Sequence, residues 1–179
     1  MNKIIILSLG IIAIISSKVI AQSNKMDKGF NDLVLGITHS QLDEAIGFNG
    51  NELSPDNYFN QVSNERNKED LPEYKKGFDL CIEYKFLMPI PVTKVFLKSD
   101  KVVIIEVSSY PDFTRPICLD SQTPKGLKFW DNRETMEKIY GKNYRTVKTS
   151  DGNTTYYYYD AIGLGFGVAN NEIRIIDFY

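Results

Sequence analysis

Apolar residues along this chain fall into two helix-like stretches, each followed by strand-like ones. Leu42, Ala45 and Ile46 share one helical face behind Thr38, with Gln41 three residues on as a capping box and Gly47 closing the helix. Met136, Ile139 and Tyr140 repeat that stripe behind Asp131, which with Glu134 repeats the cap signal; Gly141 closes it. Residues 38–46 and 132–140 are therefore predicted to be helices. After the first, alternation or continuous apolarity predicts strands over 81–87, 92–98 and 101–107. After the second it predicts strands over 144–148, 155–159, 164–168 and 172–178. Tight turns are signalled by Ser99-Asp100, Asp151-Gly152 and Asn170-Asn171. The closing strands, Lys-Val-Val-Ile-Ile-Glu-Val at 101–107 and Glu-Ile-Arg-Ile-Ile-Asp-Phe at 172–178, nearly match. Two copies of one unit are expected, 30–110 and 126–179, joined by a Pro-punctuated linker over 111–125.

The remaining segments set the context. Lys3 followed by the apolar run 4–15 has the form of a secretory signal, with cleavage expected after Ala21. A polar tail, 22–29, follows. Cleavage removes Lys3 and Lys18 and no acid, taking the formal net charge from −2 to −4. That charge disfavours nucleic acid as a partner. No later apolar run is long enough to span a bilayer, so a periplasmic or secreted location without a membrane span is expected. Export also makes a Cys81–Cys118 disulfide the expectation. Residues 49–77 are polar and rich in Asn, a long stretch read as a solvated loop, a partly helical cover or a lid.

Ideal two-residue turns predict the faces of the last strands. Val168 would face Ile173 and Phe166 would face Ile175, with Leu164 on the same apolar side beneath the helices. Gly163, Gly165 and Gly167 would lie on the other side with Arg174, Ile176 and Phe178. Tyr158 would stand opposite Gly165, Tyr156 opposite Gly167, and Arg145 opposite Tyr158. Phe96, Val103, Ile105 and Val107 would occupy the equivalent face of the first unit. Arg145, Tyr156, Tyr158, Arg174 and Phe178 are therefore the candidate partner-binding residues, since Tyr, Arg and Phe dominate interface cores. The alternative is that the rings fill the volume above the glycines.

Catalytic and metal chemistry finds no pattern. His39 is the only histidine, and there is no nucleophile elbow, phosphate loop or metal-ligand spacing. No catalytic residue, metal or cofactor is expected.

The Gly turn, capped helix, closing Gly and terminal hairpin resemble the repeat of β-lactamase-inhibitor-like proteins, and are similar to the SmpA/OmlA lipoprotein domain of the outer membrane. The resemblance covers most of 30–179. The chain departs from it in lacking Pro after the closing glycines, in having only two cysteines, and in having no lipobox. The resemblance implies an α+β fold: two tandem helix-plus-antiparallel-hairpin repeats forming one curved antiparallel sheet with helices on one face. It also implies non-enzymatic binding of a protein partner through the open sheet face, in the cell envelope or outside the cell, as an inhibitor or immunity-like module. The rival expectations are a soluble envelope-assembly module, a small-ligand carrier and a hydrolase of unknown type.

Overall fold

The computed structural model describes residues 29–30, 33–47, 49–63, 71–84, 92–109 and 122–179. The expected signal peptide, most of the polar tail, most of the linker, the strand extension over 85–87 and Cys118 lie outside the described residues. Cys81 is described, as a fully buried free thiol. Burial pushes its titration up to about 12.

Two short strands, β1 (Gly29–Phe30) and β2 (Leu33–Val34), pair with each other. Helix α1 (His39–Ile46) begins where the capping box places it. The Thr38 hydroxyl accepts from the Gln41 amide and the Gln41 side chain accepts from the Thr38 amide. Gly47 ends the helix in the left-handed region. Within 49–77 the described residues form β3 (Asn51–Leu53), helix α2 (Pro55–Ser63) and a 3-10 turn (Glu73–Lys76). Three strands follow, β4 (Leu80–Tyr84), β5 (Val92–Lys98) and β6 (Lys101–Ser108). Helix α3 (Arg133–Tyr140) is capped by Asn132 rather than Asp131. The Asn132 side chain takes the Thr135 amide, while the Asp131 carboxylate closes a turn by accepting from Lys128. The last strands are β7 (Arg145–Lys148), β8 (Thr154–Tyr159), β9 (Leu164–Ala169) and β10 (Glu172–Phe178).

Eight strands form one sheet in the order β3-β4-β5-β6-β10-β9-β8-β7, with every neighbouring pair antiparallel. The fold is thus α+β: among the described residues, three helices with a single large antiparallel sheet. The closing strands β6 and β10 lie side by side at its centre. Each also holds the entry of a helix by the same pair of backbone bonds. Gly36 N–H donates to Val102 O and Val102 N–H to Ile37 O; Trp130 N–H donates to Ile173 O and Ile173 N–H to Asp131 O. Gly36 takes a positive φ of 89° there, and Trp130 one of 65°.

The register corrects the face assignment. Val168 faces Ile173 as expected, but the pairing then slips past Arg174: Ile175 faces Gly167, Ile176 faces Phe166 and Phe178 faces Leu164. Val103 is the extra residue of β6 in the same way, between Leu97↔Val102 and Phe96↔Ile104. A bulge puts two residues against one and reverses the alternation beyond it. Ile176 and Phe178 therefore join Phe166, Leu42 and Met136 in the core that α1 and α3 cover, as do Ile105 and Val107. Ile175, Asp177 and Glu106 turn to the other face. There Cys81, Phe96 and Ile104 form a second core with Tyr58 and Val62 of α2 and with Leu71 and Phe78. So the sheet is covered on both faces, and α2 lies on the face that was expected to be open.

Candidate functional site

The five expected partner-binding residues do not form an exposed platform. Tyr156 and Tyr158 stand opposite Gly167 and Gly165, as the turns require, and Arg145 stands opposite Tyr158. Both tyrosines are fully buried, however. The Tyr158 ring lies over Gly165, where an added Cβ would meet it at 2.9 Å, and Tyr74 packs edge-on against it from the cover. Ile175 occupies the space above Gly167. Phe178 is in the helix-covered core because of the bulge. Arg174, the bulged residue, sets its guanidinium 5.9 Å from the Trp130 ring and pairs with Glu172, away from Arg145.

What pins the cover to the sheet is a buried charge network that the sequence reading did not anticipate. The Lys75 ammonium, with no exposed surface, sits between Glu106 and Asp177; it donates to Glu106 Oε2 and, at 3.2 Å, to Asp177 Oδ1. Tyr74 Oη donates to Asp177 Oδ2 at 2.9 Å. Two carboxylates thus share one ammonium and one phenol. Desolvation raises the Asp177 pKa, opposed by Lys75, and burial with the Asp177 charge raises that of Tyr74. The bulges explain the arrangement: without them Glu106 and Asp177 would point into the apolar core under α1 and α3. Lys75, Glu106 and Asp177 are all buried, 0%, 3% and 0% exposed.

One accessible site has one of the expected residues, Phe178, in its lining, and a second, Arg145, bonded to its lining residue Asp160. At the end of the sheet a groove of about 470 Å³ is lined by Leu35, Asp160, Ile162, Phe178 and Tyr179. Ile162, 54% exposed, is the exposed large hydrophobic side chain among the described residues. Gly163 beside it has a φ of 64°, and an added Cβ would meet the Tyr179 carbonyl oxygen at 2.1 Å, so this turn requires glycine. Asp160 accepts two bonds from the Arg145 guanidinium, at 3.2 and 3.3 Å, and one from Tyr179 Oη at 2.8 Å. The Arg145 bonds hold the Asp160 carboxyl below its usual range. Arg145 in turn lies 4.6 Å over the Tyr158 ring. Ile162 and Tyr179 carried no signal in the sequence beyond turn and terminus; only the fold brings them to one groove and Tyr179 to the Asp160 that Arg145 also bonds.

His39 is half-buried on α1, its Nε2 3.8 Å from Asp43 and 4.0 Å from Glu52. Among the described residues no group of three or more His, Cys, Asp or Glu side chains is placed to hold a metal, and no helix is long and apolar enough to cross a membrane. No family model, curated protein or solved structure matches the chain.

Proposed function

We propose that this chain is an exported, non-enzymatic protein-binding module, inhibitor- or immunity-like, built from two copies of one helix-and-hairpin unit. The matched backbone bonds at Gly36 and Trp130, and the bulges at the third residue of both closing strands, support the repeat. The partner surface is the groove at the end of the sheet, not the sheet face. The observation that carries this reading is the exposed Ile162 in a groove lined by Tyr179, Phe178 and Asp160, with Arg145 bonded to Asp160. An exposed aliphatic anchor beside a Tyr and a pre-positioned Arg has the composition of an interface core. Arg145 is already held by Asp160 and the Tyr158 ring, so little side-chain entropy is lost when it is covered.

The test is capture of a partner from the native periplasm or culture medium with the folded protein, followed by titration of variants against it. Ile162→Asp and Arg145→Ala should each weaken binding by about 1–3 kcal/mol; Ile162→Asp should leave the melting temperature nearly unchanged, and Arg145→Ala should lower it only slightly, as it loses an exposed ion pair and a ring contact. Full affinity in both variants would dismiss the groove as the interface.

A further inference from the structure

The chain holds a single Asn-Gly dipeptide, Asn49-Gly50. It lies between the end of α1 and the start of β3, outside both elements. Asn49 is exposed, and its side chain makes no hydrogen bond to any described residue. The Gly50 amide makes none either. An asparagine side-chain carbonyl carbon can close a five-membered ring with the backbone nitrogen of the next residue. Two things ordinarily prevent it: a following side chain that crowds that nitrogen, and hydrogen bonds that fix the two groups. Glycine supplies no crowding.

Gly50 is not there to make a left-handed turn, since its φ lies outside that region. Packing demands it. An added Cβ would meet Ile82 Cγ2 at 2.4 Å and the Tyr84 ring at 2.8 Å, and both of those side chains are fully buried and have no room to yield. The fold therefore imposes the very residue that leaves Asn49 unshielded. The comparable dipeptide Asp151-Gly152 is held differently. The Asp151 carboxylate accepts from the Thr149 hydroxyl and from Asn153, and the Gly152 amide donates to the Thr149 carbonyl at 2.9 Å.

We propose that Asn49 is a self-modification site: the folded protein converts it to aspartate and isoaspartate through a cyclic imide, and the isoaspartate form loosens the edge strand β3. The Gly50 nitrogen gives its proton to solvent base and bonds to Asn49 Cγ. The Cγ–Nδ2 bond breaks and the amide nitrogen leaves as ammonia. Water then adds to one of the two imide carbonyls. Cleavage between Cγ and the Gly50 nitrogen gives aspartate. Cleavage between the main-chain carbonyl carbon and that nitrogen gives isoaspartate, whose chain runs on through Cβ and Cγ. One water is consumed and one ammonia released, with no oxidant or reductant. Isoaspartate lengthens the main chain by a methylene two residues before the Asn51↔Glu83 pair. Strand β3 has three residues, lies at the edge of the sheet and pairs there with β4 alone, so it has little pairing to absorb the shift.

The test ages the folded full chain at mildly alkaline pH and maps its peptides by mass spectrometry. Isoaspartate is read by methyl transfer from S-adenosylmethionine with an isoaspartyl methyltransferase. Asn49 should convert ahead of every other asparagine, faster as pH rises, with isoaspartate among the products. Its rate should lie within about tenfold of that of a free Phe-Asn-Gly-Asn peptide. Asn49→Gln should abolish the methyl acceptance. Hydrogen exchange of the aged protein should be faster in β3 and unchanged in β9 and β10. An Asn49 that stays intact while the free peptide converts would overturn the proposal, and so would aspartate formed without isoaspartate. Unchanged exchange in β3 of the converted protein would overturn the loosening.

Discussion

Asp177 loses its hydration on folding and regains only part of that stabilisation from Lys75 and Tyr74. Its folded pKa is raised, against about 3.9 in an unfolded chain. The sign follows directly. The folded state binds this proton more tightly, so the contribution is fully present below about pH 4 and is lost as pH rises through the folded value. Urea unfolding of the parent and of Asp177→Asn across pH 4–8 should therefore diverge. The variant should gain on the parent as pH rises, because it has no proton to lose; parallel curves would show that Asp177 ionises freely. Two aromatic residues divide as the packing divides them. Phe166→Ala should cost about 3–5 kcal/mol, since the ring faces the core under α3. Tyr158→Ala should cost a similar amount, as its buried ring fills the space over Gly165 and supports Arg145. A Tyr158→Ala protein of unchanged melting temperature would return that ring to the list of purely surface groups.

At the scale of elements, each closing strand carries its bulge at its third residue, and the bulge decides which side chains see which core. Arg174→Ala removes a cation–π contact and a half-exposed ion pair, so it should cost only about 1 kcal/mol. Deleting Arg174 is different in kind. The strand would run straight with its faces unchanged, because Ile173, Ile175 and Ile176 already pair with the consecutive residues Val168, Gly167 and Phe166. That variant should keep a cooperative unfolding transition in calorimetry, and loss of the transition would show that the bulge itself is needed for the pairing. Strand positions, turns and the Thr38 capping box were legible because they rest on local chemistry within a few residues. The bulges were also written in the chain, though not as turn residues. Ile104-Ile105 and Ile175-Ile176 are adjacent apolar pairs at which the period-two pattern changes phase, and each is followed by an acid that a straight strand would bury among hydrocarbons. The cover was harder to see. The apolar stripe of helix α2 is short, Tyr58, Phe59 and Val62 set among Asn, Gln and Ser, and its partners Phe96 and Ile104 are distant in sequence. The end groove was illegible because Tyr179 and Arg145 reach Asp160, and Ile162 the groove beside it, only through three strand pairings.

For the whole molecule, one sheet divides two cores, and the second depends on a cover tied to the sheet by the Lys75 ammonium, the Tyr74 hydroxyl and the packing of Tyr58 and Phe78. Tyr58, Phe78 and Phe96 pack edge to face at 5.0–5.3 Å on that side, while Lys75 ties the 3-10 turn to both closing strands at once. Because Glu106 belongs to β6 and Asp177 to β10, the same ammonium bridges the central pair on which the two halves join. Replacing Lys75 by Met keeps most of the stem's volume and leaves two carboxylates facing each other without a counter-charge. The cost should be about 3–5 kcal/mol at neutral pH, and smaller toward pH 4, where the carboxylates take up protons. Hydrogen exchange should show α2 losing protection before the strands do, as the cover lifts from a sheet still held by α1 and α3. The triple variant Lys75→Met, Glu106→Gln, Asp177→Asn removes the uncompensated charge and should recover much of the loss, since the three groups act as one unit. If the triple variant is as unstable as Lys75→Met alone, the stabilisation lies in the packing of the Lys75 stem and not in its charge.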